Sequence, residues 1–398
     1  MAKNNTILGL DLGSSKICAA ICQVNDQSEL SVLGLGTSVT AGLSHGSIQD
    51  ADELSRSIER AIKRASSGLT SIPQKVMVNV PLLGFRFVHN VGLLISKEDT
   101  GQISQTDQTE CIRRSKNIVQ SPEQKMLHML PINYKVDQQE VKNPVGVFGK
   151  TLEVKSHLIL AHSETILLLS KLLKRLNLHI SGLVYDPLSL SQLVLAEKER
   201  DQGAILVDIG GAFTKICLIK EQKLYRSKLI PIGGDTFTKD IAVCLNVSIP
   251  EAERLKIIYG DVCLSRINPS ETLDITTLSE GPKKIKRILL SQILEARAAE
   301  LYKLITAEVE NELAQRHQVV VIGGGSLLKG MVEYGQAEFG VSTREGLPDM
   351  LKSVVESTVY SSAVGLVFYG LKTGSISSPK SQQIPLLERC RSWLKARQ

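Results

Sequence analysis

The chain has 398 residues, of which 42% are hydrophobic and 22% are charged, and its formal net charge is +6. This length predicts two or three domains, and the composition excludes a disordered or collagen-like chain. Aromatic residues make up only 4% of the sequence, and the basic excess is weak and scattered. We therefore expect no nucleic-acid partner, whereas contact with an anionic membrane surface is compatible with the charge.

Cysteine usage indicates a cytosolic chain. The seven cysteines include no C-x-x-C pair and have no histidine partners at zinc spacing, which predicts reduced, buried thiols. The first residues, MAKNNT, do not have the pattern of a secretion signal. No uninterrupted apolar run reaches the length of about 18 residues that a membrane-spanning helix requires, so we expect no membrane span.

Strand and helix signals alternate along most of the chain, which favours sheets covered by helices. In chain order, they predict a helix over residues 50–64 with Asp50 or Asp52 as N-cap, a strand over 76–80, a helix over 289–313 and a strand over 319–322. Between residues 84 and 162 prolines and polar clusters interrupt this rhythm, which predicts an inserted small α+β domain. Residues 372–385 have no apolar period and predict a flexible linker.

A strand that ends at an aspartate, turns through glycine and resumes as a second apolar strand occurs twice. The first copy spans residues 7–18 (ILGLDLGSSKIC) and the second residues 205–217 (ILVDIGGAFTKIC). The copies are separated by close to half the chain, which predicts two similar α/β halves and not a short-period repeat.

Turns of this kind suit a nucleotide phosphate tail. Glycine lets the backbone approach closely and leaves N–H groups directed at phosphate oxygens, and a nearby aspartate can hold Mg²⁺, usually through water. Each turn alone is also compatible with a plain strand hairpin. A third glycine turn, residues 323–326 (GGGS), follows a predicted strand and strengthens the nucleotide interpretation. Neither the Walker nor the dinucleotide-binding fingerprint is present.

The last segment, residues 386–398, predicts an amphipathic helix. Its apolar positions recur at spacings of three and four, and its remaining surface is mostly basic. This composition is typical of a helix that lies at an anionic membrane surface. Two alternatives stay open, namely docking on its own protein and binding in a calmodulin-like groove. The residues predicted to meet the membrane are Leu386, Leu387, Arg389, Arg391, Trp393, Leu394 and Lys395.

Several segments resemble those of a known family. Residues 11–15 (DLGSS), 208–211 (DIGG) and 323–326 (GGGS) are similar to the two phosphate motifs and the adenosine motif of the actin-like ATPase superfamily. Further segments narrow the resemblance to the bacterial cell-division family FtsA, and these are residues 119–134, 143–146, 251–260 and 360–370. The resemblance covers nearly the whole chain.

The resemblance implies an α/β, actin-like fold of two duplicated lobes around a nucleotide cleft, with an inserted α+β domain and a C-terminal amphipathic helix on a flexible linker. The implied divisions are a first lobe of residues 1–83, continued by 163–202 and about 355–371; the inserted domain, 84–162; a second lobe of 203–245, continued by 317–354; its small subdomain, 246–316; the linker, 372–385; and the membrane-targeting helix, 386–398.

The resemblance also implies that ATP and Mg²⁺ bind between the lobes. The implied site residues are Gly13, Ser14, Ser15 and Lys16 in the first phosphate loop, Gly210 and Gly211 in the second, Asp11 and Asp208 beside the metal, largely through water, Gly323, Gly324, Gly325 and Ser326 at the adenosine, and Glu253 and Lys256 at the base and ribose. Glu253 and Lys256 are three apart on a predicted helix, so a solvated ion pair is the alternative. Asp186 matches a residue that orients the attacking water, and a capped turn before Pro187 explains it equally well.

The second phosphate loop departs from the family pattern D-I-G-G-G-T. Ala212 adds a Cβ where close backbone approach is usual, and Phe213 replaces a hydroxyl that could bind phosphate. Thr214 could substitute for that hydroxyl only by a shift of the loop. We therefore expect ATP to act as an assembly ligand, with weak ATPase activity at most and no enzymatic function.

The implied function is to tether filaments of the tubulin-like protein FtsZ to the cytoplasmic face of the cell membrane, as a peripheral protein at the division septum. The FtsZ C-terminal peptide would dock on a helix that carries Arg297 and Glu300, although exposed charges on a helix are commonly just solvated. The other implied partners are copies of the chain in an actin-like polymer, anionic lipids and later divisome membrane proteins. A sugar kinase or a pilus-assembly relative would share the glycine turns or the insert, but neither requires a detachable basic amphipathic end.

Overall fold

The computed structural model describes residues 5–25, 27, 29–96, 101–118, 121–348 and 358–376. These residues form two compact units. The first is formed by the described residues within Met1–Leu82, Glu164–Val194 and Pro348–Gln398, and the second by those within Leu83–Ser163 and Leu195–Leu347. The inserted region therefore interrupts the first unit in sequence but packs as part of the second.

The elements follow one another in this order. Before the insert lie β1 (Asn5–Leu12), β2 (Lys16–Val24), β3 (Leu30–Val39), β4 (Leu43–Ser44), β5 (Ser47–Ile48), α1 (Ala51–Ala65) and β6 (Lys75–Asn79). The insert contains β7 (Arg86–Ile95), α2 (Gln105–Ser115), β8 (Gln124–Val136), β9 (Gln139–Val141) and β10 (Thr151–His162). It is followed by α3 (Ser163–Arg175), β11 (His179–Val184), α4 (Asp186–Val194), α5 (Glu197–Gln202), β12 (Ala204–Ile209), β13 (Thr214–Lys220), β14 (Lys223–Ile230), α6 (Gly234–Leu245), α7 (Ile249–Tyr259), β15 (Thr272–Thr277), β16 (Gly281–Lys286), α8 (Arg287–Ala314), β17 (Gln318–Ile322), α9 (Met331–Phe339), β18 (Thr343–Glu345) and α10 (Ser361–Lys372).

The predicted elements are confirmed, with shifts of one or two residues at their ends. The helix predicted over residues 50–64 is α1, and Asp50 is its N-cap, since its carboxylate accepts hydrogen bonds of 2.9 Å from two backbone N–H groups of the first turn. The two predicted strands are β6 and β17, and the long predicted helix is α8. Among the helices in the described part of the chain, none is both long and apolar enough to cross a membrane.

The first unit is built on a five-stranded sheet in the order β11-β6-β1-β2-β3. Strand β1 is antiparallel to β2 and parallel to β6, which is parallel to β11. Alternate residues of β1 face opposite sides of the sheet, so that Leu8 and Leu10 pack in one core with α1 and α3, whereas Ile7 packs in another with α10. Burial of both faces explains why β1 and β2 are apolar almost throughout.

Helix α1 lies in direct backbone contact with β3. A Cβ added at Gly34 would lie 1.9 Å from the carbonyl oxygen of Ala65, and one added at Gly36 would lie 2.3 Å from the carbonyl oxygen of Ala61. Any side chain larger than hydrogen at these two strand positions would therefore separate the helix from the sheet.

The insert is a four-stranded antiparallel sheet in the order β7-β10-β8-β9, with α2 packed on it. Ser104 caps α2 in a reciprocal capping box with Asp107. A small core of its own joins helix and sheet and contains Leu94, Cys111 and Leu152. The predicted α+β character of the insert is confirmed.

The insert packs on β14 through histidine contacts. His89 Nε2 lies 2.7 Å from the Tyr225 carbonyl oxygen, and His157 Nε2 lies 3.2 Å from Ser227 Oγ. The two imidazole rings are 5.1 Å apart. Burial, followed by the charge of His89, lowers the pKa of His157 to about 3, so His157 is neutral in the folded chain at ordinary pH.

The remainder of the second unit repeats the sheet of the first, in the order β14-β13-β12-β17-β18. Strand β12 is antiparallel to β13 and parallel to β17. Apolar residues of these strands share one core with α6 to α9, and Tyr302 of α8 donates a 2.6 Å hydrogen bond to the Met331 carbonyl oxygen there. Helical geometry in α8 breaks at Val309 (φ −127°, ψ 18°).

Cysteine burial was only partly foreseen. Cys18 and Cys217 are core residues, as predicted, and burial raises the pKa of the Cys18 thiol. The expectation of buried thiols is wrong for Cys244, which is exposed. Cys244 lies on the outer side of α6, whose inward-facing positions carry the apolar residues. Cys390 lies outside the described residues.

The linker predicted over residues 372–385 begins too early. Helix α10 extends through Lys372, and Ile376 is only 6% exposed and packs in the core beneath α10. The Ile376 N–H donates a 3.0 Å hydrogen bond to the Gly370 carbonyl oxygen, which anchors the chain after the helix. A single apolar residue in a polar stretch has no period, which is why the sequence pattern missed it. The rest of the predicted linker lies outside the described residues.

Candidate functional site

Three polar residues of the first unit lie at the carboxyl ends of adjacent parallel strands. Asp11 is near the end of β1, Asn79 ends β6, and Asp186 follows β11 and begins α4. Because these strands are parallel neighbours, their carboxyl ends share one sheet edge, which is where ligands commonly bind in α/β proteins. Asp186 is buried, as a residue at the start of a packed helix would be.

Asn79 fixes the start of the first glycine turn. Its Oδ1 accepts a 2.7 Å hydrogen bond from the Leu12 N–H, and its Nδ2 donates a 2.7 Å hydrogen bond to Asp11 Oδ1. The residue as a whole is only 5% exposed. Sequence reasoning missed this residue, although a polar residue at the end of the otherwise apolar run VMVN was the available signal.

The first predicted phosphate loop is the tight turn between β1 and β2. A Cβ added at Gly13 would lie 2.6 Å from the Lys16 carbonyl oxygen. Thr40 holds the turn from outside, since its Oγ1 donates a 2.7 Å hydrogen bond to the Gly13 carbonyl oxygen and its N–H a 3.2 Å hydrogen bond to that of Ser15. Ser14 is half-buried and Ser15 is exposed, so this loop leaves its small polar residues accessible.

In the second unit, Asp208 forms an ion pair with Lys215. The two residues are directly opposite in the register of β12 and β13, and Lys215 Nζ lies 2.7 Å from Asp208 Oδ2. Their side chains are only 8% (Asp208) and 11% (Lys215) exposed. Sequence reasoning missed this partner, although a four-residue turn between antiparallel strands places position 215 opposite position 208.

The other oxygen of Asp208 lies against the third glycine turn. Gly323 has φ +97°, and a Cβ added there would lie 2.4 Å from Asp208 Oδ1. A hydrated Mg²⁺ needs open carboxylate oxygens with room for its waters. With one oxygen on an ammonium and the other against a backbone, Asp208 does not fit that requirement. No group of three or more His, Cys, Asp or Glu residues within the described ranges could hold a metal ion.

The second predicted phosphate loop is held by the start of α6. The Gly234 and Asp235 N–H groups each donate a 2.9 Å hydrogen bond, to the carbonyl oxygens of Gly210 and Gly211 respectively. A Cβ added at Gly233 would lie 2.4 Å from the Gly211 carbonyl oxygen. The Gly233–Gly234 pair is a further glycine contact that sequence reasoning missed, and the available signal was the GG pair itself.

Glu253 and Lys256 of α7 reach the same region. They form the i,i+3 ion pair that their spacing predicts, at 2.7 Å. Lys256 Nζ also donates a 2.9 Å hydrogen bond to the Gly234 carbonyl oxygen. A Cβ added at Gly234 would lie 3.6 Å from Lys256 Nζ and 4.0 Å from Gly325 Cα. The second and third glycine turns and Lys256 are therefore neighbours in space.

The third turn begins with Gly323, directly after β17, and continues as a short 3-10 helix, residues Gly324–Leu327. A Cβ added at Gly325 would lie 2.5 Å from Ile209 Cγ2. Ser326 is buried and donates a 2.7 Å hydrogen bond to the Gly323 carbonyl oxygen, so its hydroxyl stabilises the turn itself.

The unusual residues of the second loop leave no hydroxyl directed outward. Thr214 is fully buried, and its Oγ1 donates a 2.7 Å hydrogen bond to the Ile232 carbonyl oxygen. Ala212 is also buried, and the Phe213 carbonyl oxygen accepts a 2.9 Å hydrogen bond from the Gly210 N–H. Thr214 could therefore replace the missing loop hydroxyl only if its Oγ1 gave up the hydrogen bond to the Ile232 carbonyl oxygen.

The two residues predicted to contact a partner peptide lie on α8 and already have partners within the chain. Arg297 forms a bidentate pair with Asp240 of α6, at 2.5 and 2.9 Å, and also contacts Glu300. The bond to Asp240 raises the pKa of Arg297. Arg297 thus links α6 to α8 through its ion pair with Asp240. Glu300 is more accessible, with 52% of its side chain exposed. The predicted membrane-binding residues, 386–398, lie outside the described residues.

Solved structures with similar folds exist. A chain of a PilM–PilN type IV pilus biogenesis complex has a TM-score of 0.66 at 17% identity, covering 92% of this chain and 98% of that one. MreB5 of Spiroplasma citri bound to AMPPNP has a TM-score of 0.55 at 15% identity, covering 93% and 97%. With the repeated sheet and its glycine turns, these likenesses define a protein of the actin-like ATPase fold, as predicted.

Sequence comparisons identify the family. A model described as "Cell division protein FtsA" matches residues 205–365, and one described as "SHS2 domain inserted in FTSA" matches residues 86–160. Cell division protein FtsA of Borreliella burgdorferi is 31% identical, over 92% of this chain and 91% of its own length. The FtsA of Pseudomonas aeruginosa is 29% identical, over 98% and 97%. The chain belongs to the FtsA family of cell division proteins, which confirms the resemblance.

Proposed function

We propose that this chain binds ATP, polymerises and tethers FtsZ filaments to the cytoplasmic membrane through its C-terminal amphipathic helix. It would act as a peripheral protein at the division septum and recruit later membrane proteins of the divisome. Family membership supports a role in cell division and favours this proposal over a sugar kinase or a pilus-assembly protein.

The proposal that the chain binds ATP rests on one observation, namely that glycine turns lie close together at the edge of a sheet. In the second unit Gly210, Gly234 and Gly325 lie close to one another beside Lys256. Backbone without side chains next to a lysine is a suitable surface for a phosphate chain or a ribose. The nucleotide bound by MreB5, a protein of similar fold, supports the same assignment.

We propose that ATP serves assembly and is turned over slowly. Rapid phosphoryl transfer requires a group that orients the attacking water and groups that neutralise the developing charge. Asp186 is the proposed water-orienting residue, but it is buried at the start of α4. The hydroxyl of Thr214 is committed to the backbone. Nucleotide binding would then favour a polymer-competent conformation by weighting its population.

The membrane part rests on the sequence of residues 386–398. Basic residues near an anionic surface each contribute about 1 kcal/mol, so one helix binds reversibly. A polymer would carry many such helices, and effective concentration would then make attachment strong. For the FtsZ peptide, Arg297 and Glu300 remain the proposed contacts, with Glu300 offering the larger accessible surface.

The test is co-sedimentation with anionic liposomes in the presence of ATP, with and without FtsZ. The full chain is compared with a chain truncated after Ile376, because this endpoint keeps the last residue seen to be buried and so preserves the core. A second chain, with Trp393→Ala and Leu394→Ala, keeps the length and the charge of the tail.

We expect the full chain to sediment with liposomes and to bring FtsZ with it, and both altered chains to remain in solution. Equal lipid binding by the truncated chain would contradict the tail assignment. Lipid binding without any recruitment of FtsZ would contradict the tethering role.

A further inference from the structure

We propose that Lys215 supplies, from within the chain, the positive charge that a divalent cation would otherwise bring to Asp208. Nucleotide binding by this chain is therefore independent of Mg²⁺. The inference rests on the proposed nucleotide binding and replaces the expectation that Asp208 lies beside a magnesium ion.

The register of two strands places the ammonium group of Lys215 beside Asp208. Asp208 and Lys215 are cross-strand partners on antiparallel β12 and β13, so the ammonium reaches Asp208 Oδ2 at 2.7 Å by virtue of sheet pairing. Both side chains are largely shielded from water. An ion pair shielded in this way is screened less by salt than one in open solvent, and it holds its geometry as long as the hairpin does.

Backbone of the third glycine turn lies close to the other oxygen of Asp208. Gly323 presents its Cα side to Oδ1, and the space that a Cβ would need at that position is already within 2.4 Å of the oxygen. Mg²⁺ prefers octahedral oxygen coordination at about 2.0–2.1 Å and keeps several of its waters. Such an ion would have to displace the ammonium from Oδ2 or find room for its waters between Oδ1 and the third glycine turn.

The two cations also exclude each other electrostatically. An ammonium and a divalent ion sharing one carboxylate would lie within a few ångströms of each other, where like charges repel strongly in a partly buried site. The Thr214 hydroxyl of the nearby loop is buried and donates to the Ile232 carbonyl group, so it is not directed at a cation beside Asp208. The residues around Asp208 therefore suit a fixed lysine and do not suit a hydrated metal.

The experiment measures the affinity of a fluorescent ATP analogue, N-methylanthraniloyl-ATP, with excess Mg²⁺ and with excess EDTA. Three full-length chains are compared, namely the natural chain, Lys215→Met and Lys220→Met. Lys220 is the matched control, since it lies on the same strand but is exposed at its far end. Lys215→Met removes the ammonium and keeps an unbranched side chain.

For the natural chain and Lys220→Met, we expect the two dissociation constants to agree within about threefold. For Lys215→Met, we expect binding in EDTA to be at least roughly tenfold weaker than in Mg²⁺, since an open carboxylate then needs an external cation. If the natural chain loses more than about threefold of its affinity in EDTA, the inference is overturned, and this arm decides the question even if Lys215→Met fails to fold. A Lys215→Met chain that folds and shows no dependence on Mg²⁺ also overturns it. Absence of binding by the natural chain under both conditions overturns the proposed nucleotide function as well.

Discussion

Replacement of Asn79 tests whether the first glycine turn is held in the way its hydrogen bonds indicate. Asn79→Ala removes the acceptor of the Leu12 N–H and a donor to Asp11, at a position that is only 5% exposed. A hydrogen bond to the backbone contributes about 1 kcal/mol and one to a charged group about 1.5–3 kcal/mol. We therefore expect the free energy of unfolding to fall by about 2–4 kcal/mol, with weaker binding of the ATP analogue.

Asn79→Asp tests the effect of charge alone, because it nearly keeps the shape of the side chain and makes it acidic. It would place a second carboxylate where Nδ2 now lies 2.7 Å from Asp11 Oδ1, and two carboxylates at that distance cannot both ionise. One of the two carboxyl groups would therefore have a pKa in the folded chain above the unfolded value of about 3.9. A raised folded pKa gives stability at low pH that is lost as the pH rises through it. Asn79→Asp should therefore unfold more easily at neutral than at acidic pH, whereas Asn79→Ala should not show this trend.

Urea denaturation followed by circular dichroism measures both variants, and a titration with the ATP analogue measures binding. Asn90→Ala is the matched control, because Asn90 also makes two side-chain hydrogen bonds, to the carbonyl oxygens of Ser115 and Asn117, but lies in the insert. It should lower stability without any effect on nucleotide affinity. An Asn79→Ala chain whose stability lies within about 0.5 kcal/mol of the natural chain, with unchanged affinity, would refute the reasoning.

Two further predictions concern stability. The folded pKa of His157 is about 3, below the unfolded value of about 6.5. The stability that the neutral imidazole contributes is therefore present above about pH 6.5 and is lost as the pH falls, by up to about 1.4 kcal/mol per pH unit. His157→Gln should flatten this pH dependence of the free energy of unfolding in urea denaturation series, and an unchanged slope would contradict the assignment. Ile376→Ala should lower the free energy of unfolding by about 2–4 kcal/mol because it empties a buried site, whereas Ser375→Ala at the exposed neighbouring position should change it little, and equal midpoints for the two variants would show that Ile376 is not a core residue.

Most of the fold could be predicted from local patterns in the sequence. The two strand-turn copies became hairpins of two similar sheets because each strand is apolar on both faces and each turn contains glycine. Asp50 capped its helix, and Glu253 met Lys256, because both contacts depend only on near neighbours in the sequence. The insert was recognisable because its prolines interrupt the alternation of strands and helices.

What escaped prediction depends on residues that are distant in sequence or on strand register. Asn79 reaches Asp11 across two parallel strands, and Arg297 meets Asp240 between two helices. Lys215 stood within a recognised motif, but its role required the pairing of β12 with β13 to be known residue by residue. Ile376 was missed for a different reason. It is buried in the core, but a single apolar residue in a polar stretch produces no periodic pattern.

The seating of α1 on β3 has a consequence for how the chain tolerates change. With Gly34 and Gly36 beneath Ala65 and Ala61, the main chains of helix and strand touch, so neither can slide along the other by even one position without a collision. Gly34 and Gly36 should consequently be among the least mutable positions of the first unit. In a scan of single alanine replacements along β3, we expect large losses of stability at these two positions and smaller ones at the exposed positions of the strand.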